Sequence, residues 1–299
     1  MKKAFTLIEI IVTIVILGIL AAGTFVSLKH LYLRSAKSKI LSESSFTTQI
    51  VVDQIAALLY DRVPATVIGY KLNGDFEPIA NILSTDFKIL QWIGTSVEAH
   101  KSGYYSGFID LDASDKNTST AVSFEIDGGD INASFKNKFG RDRNADDIAL
   151  IFAGSFDDAS LSSSSDFNSS FGWHGNPSNL IYTFTTSDNN LSFDIKPQEV
   201  YEKYYLVDSA YAIARKEDIT PPCSSVDASD DANTLYLFYN FRPWKAQDFC
   251  DGNVTVLAEG VRGFKAGVIN NNIYFSLSIS KEIRGSDNNL SISKEKVVF

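Results

Sequence analysis

The sequence predicts an α+β protein, in which one long N-terminal helix precedes a large antiparallel β-rich domain. An apolar run covers residues 5–28, and no proline or glycine occurs between Gly23 and Pro64. Much of the later chain alternates apolar with polar residues, as half-buried strands do. With 299 residues, 44% of them hydrophobic and 21% charged, the chain has enough material for a folded core, which excludes a collagen-like or wholly disordered protein.

The N-terminal apolar run is long enough to cross a membrane. At about 1.5 Å per residue it spans roughly 36 Å, against about 30 Å for the hydrocarbon core of a bilayer. Lys2 and Lys3 precede the run and favour a cytoplasmic N-terminus, so that the rest of the chain lies across the membrane. The small residues at 21–23 also fit the outline of a cleaved secretory signal, which is the alternative interpretation.

One acidic residue distinguishes this run from a simple anchor. A lone carboxylate such as that of Glu9 costs roughly 2.5–3.5 kcal/mol inside a membrane helix. No lysine or arginine lies within one helical turn of Glu9. The carboxylate therefore needs a partner from elsewhere, and the free N-terminal ammonium of a neighbouring chain would serve.

The segment K-K-A-F-T-L-I-E-I-I-V-T-I-V-I-L-G-I-L resembles the N-terminus of type IV prepilins and type II secretion pseudopilins. The resemblance implies that a prepilin peptidase cuts between Ala4 and Phe5 and then methylates the amine of Phe5. It also implies that Glu9 acts in filament assembly through the terminal amine of an adjacent subunit. The family usually has glycine before the cut, where this chain has Ala4, so we expect slower processing.

The helix is predicted to continue past the membrane to Val63, with Pro64 as its stop. An i, i+4, i+7, i+8 spacing of apolar residues indicates one buried face at Val51, Ile55, Leu58 and Leu59. A helix over Phe5–Val63 would be about 90 Å long and needs neighbours along its length. The predicted pilin-like organisation is a leader (1–4), a transmembrane half-helix (5–28), an amphipathic periplasmic half-helix (29–63) and a β-rich periplasmic domain (64–299).

Runs of β-branched and aromatic residues between turn residues predict the strands of this domain. They are Tyr104–Leu111, Thr120–Ile126, Asp147–Ala153, Leu180–Thr186, Leu191–Ile195, Tyr205–Ala214, Thr234–Phe241, Asn253–Ala258, residues 273–279 and a last strand after Asn289. Phe76–Ile93 is ambiguous and is interpreted as a short helix. Ser160–Ser170 is serine-rich and predicts a mobile loop.

A second resemblance concerns the tail. YYLVDSAYAIAR, LYLFYNF and VTVLAEGVRGFKAGVINNNIYFSLSIS, with DDIALIFAG before them, resemble segments of W-type minor pilins and J-type pseudopilins. This implies a subunit that primes or caps a type IV pilus or type II secretion-like filament, used for protein secretion, DNA uptake (competence) or adhesion. The implied partners are other pilins, the prepilin peptidase and an inner-membrane assembly platform. The alternative is a membrane-anchored periplasmic binding protein or adhesin that forms no filament.

Neither catalysis nor nucleic-acid binding is expected. The net charge of −9 and the pI of about 4.9 repel phosphate backbones over most of the surface. No G-x-S-x-G, H-E-x-x-H, Walker A or G-x-G-x-x-G motif occurs. The three histidines, His30, His100 and His174, are interpreted as ordinary polar residues, and the pair Trp173–His174 as a contact tip at most.

Cys223 and Cys250 are the only cysteines. Behind an anchor with a cytoplasmic N-terminus they face an oxidising compartment, where such a pair usually forms a disulfide. Two free buried cysteines are the alternative.

Six segments share the pattern Asp-x-Asn-x-Ser/Thr, against about half of one expected by chance among nineteen asparagines. The candidate N-glycosylation sites are Asn117, Asn132, Asn168, Asn190, Asn253 and Asn289. An acidic residue two positions before the asparagine is the requirement of a bacterial periplasmic oligosaccharyltransferase. Clustering of these residue types in turns is the alternative, and both interpretations place the asparagines on surface loops.

No cofactor is predicted, and Ca²⁺ is the one ion considered. Oxygen ligands at alternate positions suit Ca²⁺. They occur at Asp110, Asp112, Asp115 and Asn117, and again at Asp142, Asn144, Asp146 and Asp147. Neither stretch has the glycine or the closing glutamate of an EF-hand, so we interpret both as solvated turns. Calcium binding is the alternative, because some pilin-like proteins bind Ca²⁺ in loops.

Overall fold

The computed structural model describes residues 6–71, 75–82, 87–97, 106–114, 119–123, 147–156, 164–187, 190–269, 272–282 and 289–299. A long helix followed by a large antiparallel β domain confirms the predicted α+β, pilin-like fold class. The helices are α1 (Leu7–Tyr60) and the short α2 (Ser164–Asn168). The strands are β1 (Ile68–Tyr70), β2 (Phe76–Pro78), β3 (Ile89–Thr95), β4 (Ile109–Asp110), β5 (Thr120–Ser123), β6 (Ala149–Phe152), β7 (Tyr182–Ser187), β8 (Asn190–Phe193), β9 (Tyr204–Arg215), β10 (Leu235–Phe241), β11 (Asn253–Ala258), β12 (Val261–Ile269), β13 (Asn272–Glu282) and β14 (Asn289–Val298).

The C-terminal end of α1 is set by the sheet that follows it. The sequence predicted a helix to Val63, but α1 ends at Tyr60. The backbone N–H of Thr95 in β3 donates to the carbonyl of Asp61 at 2.7 Å, and Val63 is likewise hydrogen-bonded to β3. Because these backbone groups pair with a strand, they cannot continue the helix.

β9 lies at the centre of the larger sheet. Residues 207–213 of β9 pair with β3 along one edge. Along the other edge, β6 pairs with residues 204–207 and β10 with residues 210–215. The order continues outward from β3 through β1 to β2, and from β6 through β7, β8 and β5 to β4, with β11 added to β10. Every strand pair in the described ranges is antiparallel.

The second sheet, in the order β12-β13-β14, packs against the C-terminal half of α1. The inward side chains of β13 alternate with polar ones, as the sequence predicted, and are buried: Ile273, Phe275, Leu277 and Ile279. They share one apolar cluster with the buried face of α1, which contains Val51, Ile55 and Leu59. The apolar stripe predicted on the helix therefore packs against the small sheet.

A second apolar cluster lies on the larger sheet and includes the segment around α2. Phe167 on α2 is 2% exposed and shares this cluster with Phe171 and Trp173. The prediction of a mobile loop is wrong for residues 164–170, because Phe167 and the following Phe171 are buried against the sheet. Residues 160–163 of the predicted loop lie outside the described ranges. The interpretation of the pair Trp173–His174 as a contact tip is also wrong, since Trp173 is 1% exposed.

Each predicted strand overlaps a strand of the structure within the described residues. The interpretation of Phe76–Ile93 as a short helix is wrong, because it contains β2 and most of β3. β3 lies beside β9 and is buried at six successive positions, Ile89–Gly94. A strand buried on both faces shows no alternation, so periodicity cannot separate it from a buried helix. No strand was predicted at β1 or β12. β12 contains two glycines, and glycine is depleted in strands.

Candidate functional site

The N-terminal half of α1 extends away from the β domain. Every residue from Thr6 to Tyr32 is exposed, and the first buried residue of the helix is Ser44. With 54 residues, α1 is about 80 Å long. It is long and apolar enough to cross a membrane. Its exposed apolar surface needs either lipid or other helices around it.

The helix begins with a capping box formed by Thr6 and Glu9. The Glu9 N–H donates to Thr6 Oγ1 at 3.4 Å, and the Thr6 N–H donates to Glu9 Oε2 at 3.3 Å. Thr6 Oγ1 also donates to Glu9 Oε2 at 3.3 Å. Thr6 was not among the predicted site residues, although the spacing Thr-x-x-Glu is the signature of this cap. These hydrogen bonds are long, so the carboxylate retains capacity to accept from a stronger donor.

A basic band follows the apolar run. Its side chains are exposed on α1: Lys29, Arg34, Lys37 and Lys39. Lys39 Nζ lies 3.8 Å from Glu43 Oε1, one helical turn away. This band marks the point where the exposed surface of the helix changes from apolar to charged.

Polar contacts join the helix to the edge of the small sheet. Lys296 Nζ lies 2.6 Å from Asp53 Oδ1, and Lys294 Nζ donates to Gln49 Oε1 at 2.9 Å. Gln49 Nε2 also donates to Asp53 Oδ2 at 3.0 Å. These contacts hold β14 along one turn of α1.

Cys223 and Cys250 form a disulfide, with Cα atoms 5.1 Å apart. Cys223 is 5% exposed and belongs to the cluster that contains Phe249 and Trp173. The bond joins two segments that flank β10, at a separation of 27 residues. The alternative of two free cysteines does not apply to the structure.

The candidate glycosylation sites fall into different settings. Asn190, Asn253 and Asn289 are exposed and each is the first residue of a strand, rather than part of a loop. Asn168 is the last residue of α2 and is partly buried. Asn117 and Asn132 lie outside the described residues.

The calcium candidates do not come together where the structure describes them. Asp110 Oδ1 accepts hydrogen bonds from the N–H groups of Asp112 and Ala113, both at 3.1 Å, which is an ordinary Asx turn. Across the described ranges, no three His, Cys, Asp or Glu side chains form a metal-binding group. The stretch with Asp142, Asn144 and Asp146 lies outside those ranges, as do Asp115 and Asn117.

His174 has a structural setting that its sequence context did not indicate. Its ring stacks on that of Tyr70 at 4.0 Å between centroids and lies 5.3 Å from the ring of Phe76. Its Nε2 lies 3.4 Å from Gln91 Nε2. Burial lowers the pKa of His174 to about 4. The ring therefore joins the segment after α2 to β1 and β2 as a neutral aromatic group.

Comparison with known proteins gives one match. Residues 1–25 match the family model described as the prokaryotic N-terminal methylation motif. The comparisons with curated proteins and with solved structures found no significant match. The matched stretch contains Glu9 and opens the exposed apolar helix. The chain therefore carries at its N-terminus the methylation motif that is typical of type IV prepilin-like proteins.

Proposed function

We propose that this chain is a minor pilin or pseudopilin that primes or caps a type IV pilus or type II secretion-like filament. The observation that carries the proposal is the N-terminal methylation motif at the start of a helix with an exposed apolar surface. The subunit acts by assembly and not by catalysis. Filaments of this kind serve protein secretion, DNA uptake or adhesion. The net charge of −9 disfavours direct contact of this subunit with DNA.

Processing comes first in the proposed sequence of events. A prepilin peptidase removes residues 1–4 by cutting between Ala4 and Phe5, and the amine of Phe5 is then methylated. Residues 5–28 hold the chain in the inner membrane, and residues 29–63 and 64–299 face the periplasm. The Cys223–Cys250 disulfide supports this topology, because such bonds persist in oxidising compartments.

Glu9 then selects the neighbouring subunit. In the described part of the chain, its carboxylate accepts hydrogen bonds only from Thr6, at 3.3 Å. A charge-assisted bond from a neighbour's N-terminal ammonium would be shorter and stronger than these. It would also neutralise the carboxylate inside the membrane, where an isolated charge costs roughly 2.5–3.5 kcal/mol.

The size of the β domain supports a position at the filament tip. The described residues of 64–299 form two sheets on the C-terminal half of α1. A domain of this size is bulky for a subunit repeated along a filament. The resemblance of the tail to W-type minor pilins and J-type pseudopilins points to the same position. The tip would present this domain outward while the apolar half of α1 packs against other pilins.

The test combines mass spectrometry with three variants of the full chain in its native host. The mature protein is expected to begin at N-methyl-Phe5. Glu9→Gln keeps an oxygen that can cap the helix but removes the charge, whereas Glu9→Leu removes both. Thr6→Val removes the capping hydroxyl and keeps the charge.

We expect Glu9→Gln and Glu9→Leu to remain inserted in the membrane but to fall at least tenfold in the filament fraction, while Thr6→Val assembles. Full assembly of Glu9→Gln would overturn the charge pairing. A native chain that begins after Gly23 would overturn the prepilin pathway. A processed chain that never co-purifies with other pilins would support the anchored binding protein or adhesin instead.

A further inference from the structure

In three of the Asp-x-Asn-x-Ser/Thr segments, the last three residues lie in strands that the structure describes and share one geometry. Asn190, Asn253 and Asn289 each open a strand, and each asparagine side chain is exposed. Side chains at positions i and i+2 of a strand lie on the same face. The asparagine and the hydroxyl residue of each segment therefore face the same side of the sheet.

The residue between them points the other way. It is apolar in all three segments, and it is buried or partly buried: Leu191, Val254 and Leu290. The hydroxyl residues differ, because Thr255 and Ser291 are exposed whereas Ser192 is partly buried. An enzyme approaching from solvent meets asparagine and hydroxyl together at the segments of Asn253 and Asn289.

Asn168 provides an internal contrast. It is partly buried at the end of α2, and Ser170 of the same segment is 3% exposed. Ser170 Oγ donates to the carbonyl of Asp166 at 2.6 Å. The hydroxyl of this segment is thus covered, so the folded chain does not present it. The Ser291 hydroxyl of the Asn289 segment is within 3.0 Å of Ser278 Oγ, but Ser291 is exposed.

The three segments that open strands also differ in how many of their backbone edges pair with another strand. β8, which begins at Asn190, pairs on both edges, with β7 and with β5. β11 pairs only with β10, and β14 only with β13, within the described residues. Among the residues that the structure describes, no strand pairs with the second backbone edge at Asn253 or at Asn289, and an enzyme could pair with that edge as it binds the acceptor segment.

We propose that Asn253 and Asn289 are acceptors of N-linked glycans in the folded protein. The donor is a lipid-linked oligosaccharide, and the enzyme is a periplasmic oligosaccharyltransferase that requires the acidic residue two positions earlier. The side-chain amide nitrogen forms a bond to the anomeric carbon and loses a proton, while the bond from that carbon to the lipid diphosphate breaks and the lipid diphosphate leaves. This inference rests on the periplasmic location of residues 64–299 in the proposed function.

The test expresses the full chain in bacteria that contain such an enzyme and its glycan donor, and in matched cells without the enzyme. Glycopeptide and intact-mass spectra are expected to show glycans at Asn253 and Asn289 in the first strain only. Asn253→Gln and Asn289→Gln should each remove one glycan mass. Asp287→Asn should lower occupancy at Asn289 at least tenfold, and Asn168→Gln should change nothing.

Two results would overturn the inference. One is an unmodified chain in cells where a second acceptor protein is glycosylated. The other is occupancy at Asn168 equal to that at Asn253, which would mean that the enzyme acts before folding and that the folded surface selects nothing. The same spectra report the N-terminus, so a processed but unglycosylated chain refutes the glycan sites and leaves the proposed function intact, whereas a glycosylated chain that keeps Lys2 and Lys3 refutes prepilin processing.

Discussion

Lys296 Nζ lies 2.6 Å from Asp53 Oδ1, and this ion pair joins the edge strand of the small sheet to the long helix. The two residues are 243 positions apart in the chain. Hydrogen bonds from Lys296 and Gln49 lower the pKa of the Asp53 carboxyl below its ordinary value. The contact ties the C-terminal strand to the turn of helix that also carries the buried Val52 and Ile55.

We expect Asp53→Asn to lower the unfolding midpoint of the β domain at pH 7 and to have a progressively smaller effect as the pH falls below 3.8. The pKa of Asp53 is lower in the folded than in the unfolded chain. Its contribution is therefore fully present above the ordinary value of 3.8 and is lost as pH falls through the lowered folded value. Urea unfolding of the full chain in detergent, followed by tryptophan fluorescence, measures the difference at each pH.

Lys39→Met is the matched control, because the pair Lys39–Glu43 lies within α1 and is also exposed. It should leave the unfolding midpoint of the β domain unchanged. An equal loss in Lys39→Met and Asp53→Asn would contradict the role of Lys296 and Asp53 in holding β14 on the helix. High salt should reduce the effect of Asp53→Asn, since exposed charges are screened.

The stability of the β domain should fall as pH drops from about 6.5 towards 4, because of His174. Burial lowers its folded pKa to about 4, from an ordinary value of 6.5. Over this window the unfolded chain takes up a proton that the folded chain does not, so acid favours unfolding. His174→Asn, which tolerates the left-handed backbone at this position (φ 53°), should be less stable at pH 7 and should lose this part of the pH dependence.

The exposed His30 provides the control for this experiment. His30→Asn should keep both the stability at pH 7 and its fall as the pH drops towards 4. Denaturant midpoints at half-unit pH steps would show the difference. An unchanged slope in His174→Asn would mean that other groups cause the loss of stability.

Gly172→Ala should destabilise the β domain more than Gly175→Ala. Both glycines have left-handed backbones, with φ of 73° and 80°, which costs a residue with a Cβ about 1–2 kcal/mol. A Cβ at Gly172 would lie 2.6 Å from the carbonyl oxygen of Pro243, whereas one at Gly175 would meet nothing within 4 Å. Overpacking of this kind typically adds about 1–3 kcal/mol. Equal unfolding free energies for the two variants would show that Gly172 does not pack closely against Pro243.

The N-terminal region was predictable because its signals are local. Charge before an apolar run, an acid inside it, and the absence of proline and glycine between Gly23 and Pro64 lie within one continuous stretch of sequence. The stripe at Val51, Ile55 and Leu59 follows from the helical period alone, and the structure buries all three residues. The alternation along β13 likewise follows from the period of a strand with one buried face.

The sequence by itself determined the apolar helix, its acidic residue and the positions of most strands, since helical and strand periods act over a few residues. Only the tertiary structure decided that β3 is a strand, that the segment from Phe167 to Trp173 covers the large sheet, and that Lys296 contacts Asp53. Each of these depends on a surface supplied by residues far away in the chain. A segment buried on both faces, or an ion pair between distant elements, therefore leaves no periodic signal in its own stretch of sequence.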